Sequence, residues 1–284
     1  MQIGAHVSTA GGIEKAIDRA QSIGAETIQI FVSSPRAWKF RFPKKEAVKK
    51  FKEKSIETGI SPCYIHGSYL VNIGGAAELI EKSVTSLINN MQTAHNIGAA
   101  GVIFHGGSHK GKGFSAVLDQ ATSCLIKVLD YSPDNTFLII ENSAGMGSHI
   151  GSSFEELGEL LRSVNHPNLK VCLDTQHCFA AGYNIASKNA LERVMVDFDR
   201  QIGLDKLVAV HANDAKVELG SGVDRHENIG SGFIGTVGFE NILSHPTFRN
   251  IPFILEVPGF QNNGPDKENV DKLKAIRGKL GFGA

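Results

Sequence analysis

Two stretches of this chain set a carboxylate and an imidazole within three residues of one another. They are Asp224 and His226, in Asp224-Arg225-His226-Glu227-Asn228-Ile229-Gly230, and Asp174 and His177, in Leu173-Asp174-Thr175-Gln176-His177. Single residues of the same types close other apolar runs: His66, His105, Glu141, His211 and Glu256. Five imidazoles and four carboxylates suit zinc, with manganese or iron less specifically favoured, and they exclude a thiolate site. Nine donors exceed what one ion takes. Four-coordinate zinc with an open position for water uses about three protein ligands, so the number points to two or three ions with at least one bridging carboxylate. Four anionic ligands against three divalent ions leave such a site positive by about two charges, which attracts a phosphate ester.

Donors scattered over nearly 200 residues need a scaffold that brings them to one place. Short apolar or β-branched runs predict eight strands, at 3–7, 27–31, 62–66, 101–105, 136–141, 169–174, 207–211 and 252–256. Between them lie helix-like stretches near 12–23, 44–58, 76–97, 113–131, 152–164, 188–201, 236–245 and 266–280, with apolar residues recurring at three and four, as in Leu79, Ile80, Val84, Leu87, Ile88 and Met91. Ser152-Ser153 before Phe154 reads as a helix start, and Gly59 and Gly98 as helix stops. Eight strand-helix alternations imply a parallel sheet, and eight is the number that closes a (β/α)8 TIM barrel; an open doubly wound sheet is the lesser possibility. No Pro, Gly or Ser-rich linker divides the chain, so residues 1–284 are expected to form one domain. His66, His105, Glu141, Asp174, His211 and Glu256 then all fall at carboxyl ends of strands, the rim where a barrel of this kind builds its active site.

Composition narrows the class. Hydrophobic content of 42% with 20% charge describes an ordinary globular protein, and no apolar run approaches the roughly 20 residues of a membrane span. Met1 to His6 lacks the start of a secretory signal, so a cytoplasmic setting is the default expectation. Cys63, Cys124, Cys172 and Cys178 show no C-x-x-C spacing and read as reduced structural thiols. Basic and acidic residues balance at 29 each, which argues against a surface coated in positive charge. The mixed run Lys44 to Lys52 reads as a solvated helix face. Nothing in the pattern asks for a partner subunit, so a monomer is expected. His6 either orients a ligand or packs, and His109 is expected to make a loop hydrogen bond. His95, His149, His166 and His245 are expected to be structural, away from the rim.

Over essentially its full length the chain resembles the endonuclease IV family of apurinic/apyrimidinic endonucleases. The likeness runs through Gly4-Ala5-His6-Val7-Ser8, His66-Gly67-Ser68-Tyr69-Leu70, Asn142 after Glu141, Leu173 to His177, Ala180-Ala181-Gly182-Tyr183, His211-Ala212-Asn213-Asp214 and Asp224-Arg225-His226. The resemblance implies a zinc-dependent barrel that nicks duplex DNA on the 5′ side of an abasic site, leaving a 3′-hydroxyl and a 5′-deoxyribose phosphate, and often clears 3′-blocking groups. It implies three zinc ions. His66, His105 and Glu141 would hold the first, and Glu141 would bridge to a second held by Asp174, His211 and Glu256. His177, Asp224 and His226 would hold the third, and Glu256 would also position the attacking water. Arg36, Tyr69 and Leu70 match the side chains that the family inserts at the lesion. Two positions depart from its usual pattern: Gly106 replaces a Pro after His105, and Gln176 stands where Cys is common. Gly106 is expected to loosen the backbone that aims His105.

Two other readings compete. A sugar isomerase or epimerase on the same barrel also uses Glu, Asp and His at strand ends, but its chemistry does not require the group His177, Asp224 and His226. A nonenzymatic DNA-binding or metal-storage descendant would not need to retain Glu256.

Overall fold

The computed structural model describes residues 1–281, three short of the expected domain span. Its main sheet consists of eight parallel strands. These are β1 (Ile3–His6), β2 (Ile28–Ile30), β3 (Cys63–His66), β4 (Gly101–His105), β5 (Phe137–Glu141), β6 (Leu169–Asp174), β7 (Leu207–His211) and β10 (Phe253–Leu255). β1 pairs with β2 on one side and β10 on the other, so the sheet closes into a barrel and the open alternative falls. β4, β6 and β7 match their expected spans, while the others are one or two residues shorter. Glu256 therefore lies just past β10 rather than in it.

These runs form strands because both faces are covered, which rewards continuous apolar sequence rather than alternation. Tyr64, Ile103, Ile139, Cys172, Ala209 and Ile254 from six strands fill the barrel lumen. Gly4 is required where β1 meets β2, since a β-carbon there would lie 1.7 Å from the Thr27 carbonyl oxygen. Outside the strands lie α1 (Lys15–Ser22), α2 (Lys45–Thr58), α3 (Ala77–Ile97), α4 (Leu118–Asp130), α5 (Phe154–Val164), α7 (Lys188–Gln201), α8 (Gly235–Ser244) and α9 (Lys267–Lys279). Gly59 and Gly98 end α2 and α3 in the left-handed conformation, and the Ser153 hydroxyl caps α5 by accepting from the Glu156 N–H at 3.2 Å. α1 and α4 begin later than expected, because the residues before them belong to rim loops.

A short helix and a two-stranded ribbon were not expected. A six-residue helix, α6 (Thr175–Ala180), follows β6 directly, and β8 (Asp214–Ala215) pairs antiparallel with β9 (His226–Glu227). At the opposite end of the barrel, Glu26 receives Arg277, Lys274 and the Ile3 N–H, which ties α9 to the start of the chain. All four cysteines are free and buried.

Candidate metal centre

Register alone brings several donors side by side. His105 pairs with Glu141 across β4 and β5, and Asp174 with His211 across β6 and β7. The structure gathers three groups whose donor atoms lie within 4.8 Å of one another: His66, His105 and Glu141; Glu141, Asp174, His211 and Glu256; and Asp174, His177 and His226. Glu141 is shared. Its Oε2 lies 3.5 Å from both His66 Nε2 and His105 Nδ1, while its Oε1 lies 2.9 Å from His211 Nδ1. His211 Nδ1 also lies 3.3 Å from Glu256 Oε2. Asp224 joins the third group, with Oδ1 3.3 Å from His177 Nε2 and 3.4 Å from His226 Nε2. All nine candidate ligands thus meet at one mouth.

These residues fit divalent cations. His66 Nε2, Glu141 Oε2 and His226 Nε2 are buried and have no hydrogen-bond partner, a condition that costs roughly 1–3 kcal/mol per group unless something fills it. The opposite ring nitrogens are spoken for. His66, His177 and His226 turn Nδ1 to the carbonyls of Gly67, Asn142 and Glu256 at 2.8, 3.0 and 3.2 Å. Donation there leaves Nε2 as a lone pair aimed into the cluster, the arrangement that holds a metal-ligating imidazole in one tautomer. His211 is reversed: Nε2 meets Gln29 Oε1 at 2.8 Å and Nδ1 faces the carboxylates.

Charge in the cluster is unevenly shared. Burial opposes ionisation of Glu141 and Glu256, yet His105, His211 and His177 around the first, and His211, His6 and His66 around the second, hold both carboxyls well below the usual range. Asp174 goes the other way, pushed up by burial and by the neighbouring Glu141. Asp224, resisted by burial but drawn down by His177 and His226, sits at about 2. His105 falls to about 4, chiefly through burial. His177 and His211 rise well above their ordinary value against burial: Asp174, Asp224 and Glu141 surround the first, and Cys172 with Glu141 and Glu256 the second. Four carboxylates gathered among five imidazoles make a donor set that suits divalent cations.

The surrounding polar groups explain the alignment. Gln29, fully buried in β2, accepts from His211 Nε2 and sends its amide to Glu256 Oε1 at 2.6 Å and to His6 Nδ1 at 2.8 Å. Asn213 accepts the Glu256 N–H at 2.8 Å and donates to Asp174 Oδ2 at 2.7 Å. Asn142 accepts the Asp174 N–H at 2.7 Å. Buried Asp214 receives the N–H groups of Ala215, Gly230, Gly232, Ile234 and Gly235, which pins the loop that carries β9 and His226. Gln176 donates to the Val223 carbonyl at 2.9 Å, one residue before Asp224. The departure at 176 therefore falls on a contact that anchors the third group. Gly106 is not left-handed, and a β-carbon there would press on Ile150 at 3.1 Å.

His6 combines both readings offered for it, lying 3.2 Å from Glu256 Oε1 and packing on Phe31 at 4.5 Å between ring centroids. His109 makes the expected loop bond, accepting from the Gly113 N–H. His149 corrects the expectation that placed it away from the rim. It lines a cleft of about 370 Å³ with His105, His177, Asp224 and Tyr69, because the loop after β5 folds back over the mouth. Tyr69, 52% exposed, stands edge-on to His66 and Phe31. Its N–H and the Ser68 hydroxyl both bond the Pro35 carbonyl, which sets exposed Arg36 beside it. Leu70 is half-buried next to them. A larger groove of about 1140 Å³ continues past Tyr69 and Glu256 along Ser8, Ser33 and Asn262.

A family model described as a xylose isomerase-like TIM barrel matches residues 17–277. That fold is shared widely: a D-tagatose 3-epimerase-like protein superimposes with a TM-score of 0.72 at 18% identity, over 99% of this chain and 97% of that one. Sequence decides more. The "Probable endonuclease 4" of Halothermothrix orenii is 41% identical over 276 residues, covering 96% of this chain and 99% of that protein. The chain belongs to the endonuclease IV family. The crystal structure of endonuclease IV from Thermus thermophilus agrees, with a TM-score of 0.86 and 34% identity over the whole of both chains. Within the endonuclease IV barrel of this chain, Gln29 and Asp214 were not singled out from sequence as supporting residues. A polar residue between Ile28 and Ile30, and the Asn213-Asp214 pair after His211, are the signals that could have found them.

Proposed function

We propose that this chain is a DNA-repair endonuclease that hydrolyses the phosphodiester 5′ to an abasic site in duplex DNA, leaving a 3′-hydroxyl and a 5′-deoxyribose phosphate. Removal of 3′-blocking groups is a related activity of the same site. The reading takes residues 1–284 as one catalytic domain, monomeric and cytoplasmic. Three zinc ions are held by His66, His105 and Glu141; by Glu141, Asp174, His211 and Glu256; and by His177, Asp224 and His226. The observation that carries this proposal is the third group, with His226 Nε2 buried and without a hydrogen bond and Asp224 within 3.4 Å of two imidazoles. A sugar isomerase has no use for it.

When bound, the ions supply Lewis-acid chemistry, lowering the pKa of water to roughly 7 and drawing charge from the phosphodiester. The protein does the positioning. Glu256, held by Gln29 at Oε1 and by Asn213 at its N–H, orients the attacking water. Glu141, ionised and buried, joins two of the ligand groups through its two oxygens. Tyr69, Leu70 and Arg36 enter the duplex at the lesion, where unstacking costs a few kcal/mol and less where the base is already missing.

The test is incision of duplex DNA bearing one tetrahydrofuran abasic analogue, without added magnesium. Cleavage should be lost on chelation, restored by zinc, and abolished in Glu256→Gln. Intact analogue DNA at high enzyme concentration overturns the proposal.

A further inference from the structure

The loop between β4 and α4, residues 106–117, carries Lys110 and Lys112 and no acidic residue. Among the described residues neither lysine has an ion-pair partner, whereas many exposed helix lysines do, such as Lys82 with Glu78 and Lys267 with Asp271. The loop is also built rigidly. It is zipped to the loop after β5 by an antiparallel bridge between Ser108 and His149, with His109 N–H to Ser148 O at 2.9 Å, Ile150 N–H to Gly107 O at 2.9 Å, and Gly111 N–H to the Ser148 hydroxyl at 3.0 Å. Gly107, His149 and Ile150 of the zipped pair form a wall of the cleft over the candidate ligands.

Lys110 adopts φ 53°, and Gly111 follows at φ 80°. A side chain in this region is strained where glycine or asparagine is not. A lysine here therefore has no local conformational reason, which directs attention to its charge. Position supplies a use for that charge. In the barrel β3 lies between β2 and β4, so the loops after β2 and β4 flank the loop of Tyr69 and Leu70. The loop after β2, residues 31–44, carries Arg36, Lys39, Arg41 and Lys44, again with no acidic residue. A chain of zero formal charge thus sets acid-free basic loops on both sides of its proposed wedge.

We propose that the zipped loop pair is a phosphate-binding ledge, in which Lys110 and Lys112 hold the DNA backbone on the side of the lesion away from Arg36. This rests on the endonuclease reading above. The ledge contributes sequence-independent affinity: each phosphate contact steepens the dependence of log affinity on log salt by about 0.9.

The experiment measures kcat/KM of the zinc-loaded enzyme on the abasic-analogue duplex across a salt series, for the parent, Lys110→Gly, Lys112→Ala and the double variant. Lys110→Gly relieves the left-handed strain, so it is not expected to unfold. Lys52→Ala, an equal charge change beside Gly98 at the far end of the barrel, is the control. Between about 50 and 200 mM salt, each lost contact should shrink the parental fall in kcat/KM by about 3.5-fold, and the double variant by about 12-fold. Salt slopes equal to the parent, or lowered equally by Lys52→Ala, overturn the ledge. A parent that does not incise at all overturns the endonuclease reading instead.

Discussion

Replacing Gln29 by Leu removes three polar contacts while keeping nearly the same volume, so the loss can be worked out from the bonds alone. His211 Nε2–H loses its acceptor at 2.8 Å, and Glu256 Oε1 loses a donor at 2.6 Å. Both lie among residues that water reaches poorly, with His211 fully buried. One orphaned buried N–H costs about 1–3 kcal/mol. Removing a partner that orients a metal ligand typically costs about 10–100-fold in metal affinity or activity, or about 1.4–2.8 kcal/mol. The two magnitudes agree, so Gln29→Leu is expected to weaken the ion held through His211 and Glu256 by roughly that factor. Dialysis against graded chelator, followed by counting metal per chain, reads it directly. Gln29→Glu separates the contributions: it keeps an acceptor for His211 but sets a carboxylate against Glu256, and should lose metal at least as readily. Parental metal retention by Gln29→Leu, in a protein with the parental melting profile, refutes the reasoning.

Asp214→Ala leaves up to five backbone N–H groups without their acceptor, and is expected to cost roughly 3 kcal/mol or more. Faster hydrogen exchange across residues 226–235 with little change in the far strands should accompany it. Glu26 is held down to about 2, against burial, by Arg277, the Ile3 N–H and Lys274. Its contribution to stability is complete above its ordinary value of 4.5 and fades as pH falls through about 2; the melting-temperature gap between parent and Glu26→Gln should therefore narrow on acidification. A gap that widens contradicts the assignment. Tyr69→Ala and Leu70→Ala should weaken binding to abasic duplex by about 1–3 kcal/mol with metal content unchanged, and loss of metal in either would mark it as structural.

The rim of candidate ligands was legible because those residues end apolar runs: His66, His105, Glu141, Asp174 and His211 all close strands, and strand ends are visible as breaks in hydrophobicity. Gln29 was not, because one amide between two isoleucines looks the same whether it faces a packed lumen or a polar site. His149 was misplaced for a related reason. Its position follows from a bridge to Ser108, about forty residues away, and no local pattern records that pairing. α6 is too short to show a helical period, and β8 and β9 hold two residues each, so the loop of Asp224 and His226 reads from sequence as longer and looser than it is. The cap supplied by Asp174 to the His177 N–H shows the difficulty well: the same carboxylate that signals a helix start also sits among the candidate ligands.

The order in which the barrel closes also bears on when this site can exist. Donors at His66 and His105 are separated from Glu256 by most of the chain, and β10, which precedes Glu256, completes the ring by pairing with β1 and β7. During synthesis, which delivers the N-terminal part first, a growing polypeptide would carry eight of the nine donors before the last one emerged. A candidate centre that includes Glu256 is complete only once that final strand docks. The topology thus ties completion of the candidate donor set to closure of the barrel.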